Sequence, residues 1–255
     1  MKLIVALWGG GCFTLPVMNK ISTILAIGSG LFLCQAQAEI ESEFHVGYNS
    51  EYIFRGLDLG DDAYEYGLDF AGSCDCGLDW SAGIWSISPD GEDGNLNELD
   101  IYAAVSKDLG FASAAVGFTA YTYDGGQADD AEVFLGLSAE PIAGLDAGLT
   151  VYFGTDGNLQ EQVLLEGSLG YTYNINEKVG ANIGVVYGYV ADEGLGGYAS
   201  EDGSAYFAAT LSFDVALSDD LTFSPYVSYI EGEEKRIGAG TQDGVIGGAK
   251  VSFAF

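Results

Sequence analysis

The sequence contains few positively charged residues and few prolines, and beyond residue 40 it contains no long apolar run. Its 255 residues include 8 Lys and Arg against 38 Asp and Glu, 4 Pro, 4 Cys and 1 His. The net charge of −30 argues against a nucleic-acid partner, because binding a phosphate backbone requires a basic face. A membrane helix needs about 18 apolar residues, and no such run follows residue 40.

The scarcity of histidine and cysteine limits the chemistry that we expect. The lone histidine, His45, has no evident Ser or Asp partner in the sequence, so a hydrolase is not predicted and His45 is interpreted as a lumen or rim residue. Cys74 and Cys76 form a C-x-C pair, which is a poor metal site with no His or further Cys nearby. The pair can form a disulfide in an oxidising compartment or remain as two thiols in a turn. We predict no catalytic residues, no metal and no cofactor.

The first 38 residues have the pattern of a signal peptide. Met18-Asn19-Lys20 is a short basic segment, Ile21 to Leu33 is apolar, and Ala36-Gln37-Ala38 is an A-x-A cleavage site. We therefore predict cleavage after Ala38, translation starting at Met18 or at Met1, and a mature domain over residues 39–255.

From residue 42 onward, apolar and polar residues alternate, which is typical of β-strands with two different faces. The sequence is also rich in Gly (38), Tyr (16) and Phe (14), which suits a β protein. The alternation predicts twelve strands, at about 43–56, 64–72, 78–88, 97–106, 111–123, 133–137, 145–153, 162–173, 179–189, 207–215, 221–229 and 245–255.

The apolar faces carry no charge in mid-strand, and the opposite faces hold Gly, Ser, Thr, Asn and carboxylates. An outer face in contact with lipid is expected to carry no charge, and a face lining a lumen is expected to carry small polar and acidic residues. We therefore predict an all-β, closed antiparallel transmembrane barrel. Connections after even strands are short, and those after odd strands, beginning with Gly56–Ala63, are mostly longer and acidic. In such barrels short turns face the periplasm, which predicts periplasmic N- and C-termini. Aromatic residues near strand ends, including Tyr52 and Phe54, are expected to face outward as an interfacial girdle.

The last strand alternates strictly and ends on Phe255. It could close a soluble sandwich, but closure of a membrane barrel removes the exposed edge that an apolar terminal strand would otherwise leave. A terminal Phe after an alternating strand resembles the closing strand of bacterial outer-membrane proteins. That resemblance implies recognition by the barrel-assembly machinery.

Three motifs resemble a bacterial family of TorF-type porins, formerly proteins of unknown function. They are Ser50-Glu51-Tyr52-Ile53-Phe54-Arg55-Gly56, Ala82-Gly83-Ile84-Trp85, and the segment from Ala131 to Ser138, AEVFLGLS. The resemblance implies an outer-membrane barrel and a channel, and it implies no particular substrate.

The inward face is expected to carry a lumen charge cluster in which one arginine lies among carboxylates: Glu51, Arg55, Glu65, Asp69, Glu98, Asp100, Glu132 and Glu166. The cluster could be a constriction that selects small cationic or polar solutes, or a salt-bridge network that fills a narrow barrel. A passive channel in the bacterial outer membrane is the first hypothesis, with the bilayer and lipopolysaccharide as partners. The alternative is a structural or adhesive protein with a plugged lumen and functional acidic loops.

Overall fold

Twelve antiparallel strands form one closed barrel. The computed structural model describes residues 40–90, 97–124, 129–233 and 243–255, so the predicted signal segment lies outside the described residues. The strands are β1 (Glu41–Phe54), β2 (Leu57–Ser73), β3 (Asp79–Asp90), β4 (Glu98–Asp108), β5 (Ser113–Tyr123), β6 (Asp130–Ile142), β7 (Leu145–Asp156), β8 (Val163–Asn176), β9 (Val179–Asp192), β10 (Gly203–Ala216), β11 (Leu221–Gly232) and β12 (Asp243–Ala254).

Each strand pairs with its neighbours in the sequence, and β1 pairs with β12 to close the ring. Val46 lies opposite Val251 across this closing seam. The two strands are paired from Glu43 to Asn49, so the backbone amides and carbonyls along that part of the seam are satisfied and the sheet closes there. The predicted closed barrel of twelve strands is confirmed.

The outer surface is apolar and the inner surface is polar, as the alternation predicts. Large apolar side chains such as Leu135, Ile183 and Tyr64 are 53%, 58% and 63% exposed on the outside. The side chains between them in the sequence point inward, and many of these are buried polar groups. Within the described residues the one helical segment is the 3-10 turn Gly157–Leu159, and no helix there is long and apolar enough to cross a membrane.

The two ends of the barrel differ in the length of the connections between strands. At the turn end lie the start of β1, the end of β12 and the connections after even strands, at residues 74–78, 109–112, 143–144, 177–178 and 217–220. At the loop end lie the connections after odd strands, and five of these six are longer than two residues.

The connection from β1 to β2 departs from the prediction. The predicted loop Gly56–Ala63 is wrong, because β2 already begins at Leu57 and only Arg55 and Gly56 join the strands. Both residues have positive φ, +47° and +87°, as a type I′ hairpin turn requires. Glycine adopts this conformation freely, whereas an arginine there costs about 1 kcal/mol or more, which points to compensating contacts.

Candidate functional site

The tip of the β1–β2 hairpin, residues 50–60, leaves the barrel wall. Backbone pairing of β1 with β12 ends at Asn49 opposite Gly248, whereas pairing of β1 with β2 continues to Phe54 opposite Leu57. At the point of departure the Gly247 amide donates to Ser50 Oγ (3.0 Å), so a side chain replaces the lost backbone partner. Within the described residues the backbone of the tip pairs with no other strand, so the tip folds into the lumen as a separate hairpin.

Arg55 at the turn reaches carboxylates on the far side of the lumen. Its Nη2 donates to both oxygens of Glu132 on β6, at 2.8 and 3.0 Å. Its Nε lies 3.8 Å from Glu166 Oε1 on β8, and its guanidinium carbon lies 4.3 Å from the centre of the Tyr152 ring. All three ionic groups are at least 93% buried. A guanidinium suits this site because its planar group can donate to a carboxylate and stack on an aromatic face at the same time.

Tyrosines on the surrounding wall hold the two carboxylates in place. Tyr121 donates to Glu132 Oε1 (2.7 Å), and Tyr206 donates to Glu166 Oε1. From a loop-end connection, Tyr198 donates to the Arg55 carbonyl (2.8 Å). Hydrogen bonds from neutral donors stabilise carboxylates that are removed from water, so these phenols allow two acids to flank one arginine.

A second set of contacts fixes the strand that leads to the turn. Tyr52 donates to Glu98 Oε2 on β4 (2.7 Å), and Phe54 meets the rings of Tyr121 and Tyr198 edge-on at 6.1 and 5.9 Å. On the opposite side of the hairpin, Ile53 packs against inward residues of β11 and β12. The tip is thus wedged between opposite walls by apolar contact as well as by charge.

Two connections at the loop end fold over the hairpin tip, residues 50–60, which we call the plug. The amides of Leu195 and Gly197, between β9 and β10, donate to the carbonyls of Gln160 (2.8 Å) and Asn158 (2.9 Å), between β7 and β8. Together with the hairpin tip they enclose a buried apolar cluster in which Tyr52, Tyr121 and Leu164 are 0% exposed. The buried members of the cluster are Tyr52, Phe54, Ala63, Trp85, Ile87, Tyr121, Tyr152, Leu159, Leu164, Val190, Tyr198, Ala199, Ala205 and Tyr206.

The expectation that Tyr52 and Phe54 face outward is wrong. Both are in the lumen, with exposures of 0% and 6%. The register between β1 and β2 shifts between Glu51 and Ile53, so the alternation of the first half of β1 does not continue into the tip.

The structure brings together only part of the predicted lumen charge cluster. Arg55, Glu132 and Glu166 form one centre, and Glu98 joins it through Tyr52. Asp100 is inward and 3% exposed, two residues beyond Glu98 on β4. The inward positions of Tyr121, Tyr152 and Tyr206 follow from the alternation of side chains along their strands, but nothing in the neighbouring sequence identifies their partners.

The other predicted members lie elsewhere. Glu65 accepts a hydrogen bond from Asn49 Nδ2 (3.0 Å), half-buried Glu51 lies opposite Asp61 in the hairpin, and Asp69 lies near the turn end and accepts from Tyr102. The ion-pair partners of Arg55 are on β6 and β8 and not on β2, the strand that carries Glu65 and Asp69.

Cys74 and Cys76 are joined by a disulfide with a Cα–Cα distance of 5.2 Å. It lies in the connection from β2 to β3 at the turn end, far from the plug along both strands. The pair therefore belongs to a turn and offers no free thiolate to a metal.

Comparison with known proteins supports the fold. The model of a family described as "Bacterial protein of unknown function (Gcw_chp)" matches residues 35–150. That description does not include the TorF name, so that part of the resemblance stays a prediction. No curated protein sequence matches the chain.

Among solved structures the chain is similar to a COG4313 outer membrane channel from Pseudomonas putida F1, at 9% identity and TM-score 0.53, over 90% of this chain and 100% of that one. It is also similar to the KdgM porin, at 11% identity and TM-score 0.51, over 84% and 99% of the two chains. The NanC porin matches at 12% identity and TM-score 0.50, over 84% and 98%. At these identities the likeness shows a shared porin-type barrel.

Proposed function

We propose that this protein is a porin-like channel of the bacterial outer membrane that passes small cationic or polar solutes. The observation that carries the proposal is the closed barrel with apolar side chains on its outside and buried carboxylates on its inside. An outward belt of Leu, Ile, Val and aromatic side chains is unfavourable in water and favourable in lipid. The fold shared with porins and an outer-membrane channel supports the same location.

The charge of the lumen supports a preference for cations. Arg55 and Lys250 are inward bases, and seven carboxylates from the predicted cluster line the barrel: Glu51, Glu65, Asp69, Glu98, Asp100, Glu132 and Glu166. Rings of acidic side chains raise the local concentration of cations and exclude anions. In this proposal the hairpin tip narrows the lumen, and the centre of Arg55, Glu132 and Glu166 forms the selective constriction.

The assembly partners follow from the same proposal. β12 ends on the stacked rings of Phe253 and Phe255, and the Phe255 amide donates to the Ser42 carbonyl (3.0 Å) across the closing seam. We propose that the barrel-assembly machinery reads this closing strand before the seam forms. Lipid and lipopolysaccharide would then surround the finished barrel, with the termini in the periplasm.

The test is conductance of the purified protein in planar bilayers. We expect discrete current steps, and under a KCl gradient we expect a reversal potential of the sign given by cation preference. A clear anion preference would overturn the charge argument, and the absence of any current steps would overturn the channel.

A second function is favoured by the plug. The buried cluster between the hairpin tip and the wall includes side chains with no exposure to solvent, which is the packing of a sealed barrel. In that case the acidic loops would be the functional surface, bridged by divalent cations to anionic lipopolysaccharide. Bilayers that stay silent with a correctly folded protein would favour this function over the channel.

A further inference from the structure

One histidine and two carboxylates meet on the inner wall near the turn end, far from the plug. Glu43 and His45 are two residues apart on β1, so both point inward. Asp69 on β2 lies directly opposite Glu43, and His45 lies opposite Gly67. The register of one strand pair therefore places three metal-binding side chains side by side.

Two glycines make room for this arrangement. A Cβ at Gly67 would overlap the His45 ring at Cε1, so only glycine lets the imidazole lie flat against β2. A Cβ at Gly83 would lie 2.7 Å from Asp69 Oδ1 and 2.6 Å from Tyr102 Cζ. Tyr102 donates to Asp69 Oδ1, which leaves Oδ2 facing the imidazole.

Two of the three atoms that face one another have no hydrogen-bond partner in the described part of the chain. His45 and Glu43 are 6% and 8% exposed, and within the described residues neither His45 Nδ1 nor Glu43 Oε1 has a hydrogen-bond partner. Nδ1 lies 3.5 Å from Asp69 Oδ2 and 4.0 Å from Glu43 Oε1, and the three ligand atoms lie within 4.8 Å of one another. Buried polar atoms are rarely left in this way, so the geometry indicates that something binds between them.

We propose that Glu43, His45 and Asp69 bind a divalent transition metal ion, with Zn²⁺ as the best fit. Ligands at about 2.1 Å from one Zn²⁺ in a tetrahedral arrangement are about 3.4 Å apart, close to the distance between Nδ1 and Asp69 Oδ2. The three ligand atoms lie within 4.8 Å of one another, so the widest pair would close by no more than about 1.4 Å to complete the set. The inference does not depend on whether the barrel conducts.

The donor set argues against the hard cations. Ca²⁺ and Mg²⁺ are bound by oxygen ligands alone, whereas an imidazole nitrogen with carboxylates suits Zn²⁺ and its first-row neighbours. Three protein ligands leave a fourth position open toward the lumen, where a water or a solute group could bind. Tyr102 acts as a positioning residue, because its hydrogen bond orients the Asp69 carboxylate.

The sequence alone does not reveal this site. The C-x-C pair is a poor metal site by its sequence, and its two sulfurs are bonded to each other. Asp69 is distant from His45 in the sequence, and only the strand register pairs β1 with β2 at this position.

The experiment is a Co²⁺ titration of the detergent-purified protein, followed by visible absorption and then by Zn²⁺ competition. Excess Mg²⁺ is present throughout to occupy the acidic loops, which bind divalent cations without selectivity. We expect one Co²⁺ to bind per chain and to give the intense visible absorption bands of a low-coordinate site. One Zn²⁺ per chain should then displace the bound Co²⁺.

Variants distinguish the site from other carboxylates. We expect His45→Gln to weaken binding at least about tenfold, and Tyr102→Phe to weaken it by about tenfold. Asp214→Asn is the matched control, because Asp214 is an inward carboxylate near the same end with its own hydrogen bonds from Asn182 Nδ2 (2.9 Å) and Ser224 Oγ (2.7 Å). It should bind Co²⁺ as the parent protein does, and circular dichroism checks the fold of each variant.

Two results would overturn the proposal. One is a parent protein that shows no low-coordinate Co²⁺ bands under these conditions. The other is a folded His45→Gln variant with unchanged stoichiometry and affinity, which would assign the binding to surface carboxylates.

Discussion

Replacing Arg55 by alanine should release the hairpin tip from the lumen. The guanidinium joins the tip to β6 and β8 by ion pairs with Glu132 and Glu166. Without it, two carboxylates stay on the wall with no cation between them. The barrel itself should persist, because its wall depends on backbone pairing that Arg55 does not make.

The expected magnitude follows from the burial of the pair. Removing one partner of a buried ion pair costs about 3–5 kcal/mol, and the stacking of a desolvated guanidinium on a ring such as Tyr152 adds about 2 kcal/mol. The apolar contacts of Ile53 and Phe54 still hold the tip. If only 3 kcal/mol of this total favours insertion, the ratio of displaced to inserted tips rises by about a factor of 100.

Two assays measure the change. In planar bilayers the Arg55→Ala variant should open more often and should prefer cations more strongly, because the tip moves aside and Glu132 and Glu166 lose their counter-charge. Hydrogen exchange should accelerate at the amides of residues 50–60 and stay slow in the wall strands. The second assay is informative even if the parent protein does not conduct.

The controls separate position from charge. Lys178→Ala removes the same charge from an exposed turn between β8 and β9 and should change neither assay. Arg55→Lys should fall between the parent and Arg55→Ala, because it keeps the charge and loses the planar group that stacks on Tyr152. Unchanged exchange at residues 50–60 in Arg55→Ala would refute the anchoring role.

Two further predictions concern the outer wall and the disulfide. Leu135→Lys puts a cation on the outward face, where Leu135 is 53% exposed, and should cost about 2–4 kcal/mol of unfolding free energy in liposomes. The inward control Thr150→Lys should cost far less, and equal losses would contradict the assignment of faces. The double variant Cys74→Ser/Cys76→Ser should lower stability by no more than about 1.5 kcal/mol, because the bridge spans a sequence separation of only 2 and restricts the unfolded chain little. Urea midpoints of the oxidised parent and the variant measure this loss. A larger loss would contradict the argument that the bridge stabilises only its own short turn.

The architecture could be predicted from the sequence because it depends on a local property. Successive side chains of a strand point to opposite sides, so Leu135 and Leu137 had to share one face and Gly136 the other. Twelve such segments and the absence of charge on one face are enough to predict a closed barrel in lipid. The inward positions of Glu98, Glu132 and Glu166 follow from the same alternation.

The prediction failed where β1 leaves the wall. Tyr52 and Phe54 continue the alternation of the first half of the strand, and nothing in their own segment marks the register shift after Glu51. They turn inward because the lumen offers them partners: Glu98 for the phenol of Tyr52 and the rings of Tyr121 and Tyr198 for Phe54.

Most strands, their two faces and the acidic character of the lumen can be read from the amino-acid pattern, because strand periodicity and composition act over a few residues. Which charges meet depends on the folded barrel. Arg55 pairs with Glu132 across 77 positions of the chain, and Asp69 reaches His45 through the register of β1 against β2. Such partners are set by ring closure and by the distances across the lumen, and these exist only once all twelve strands are in place.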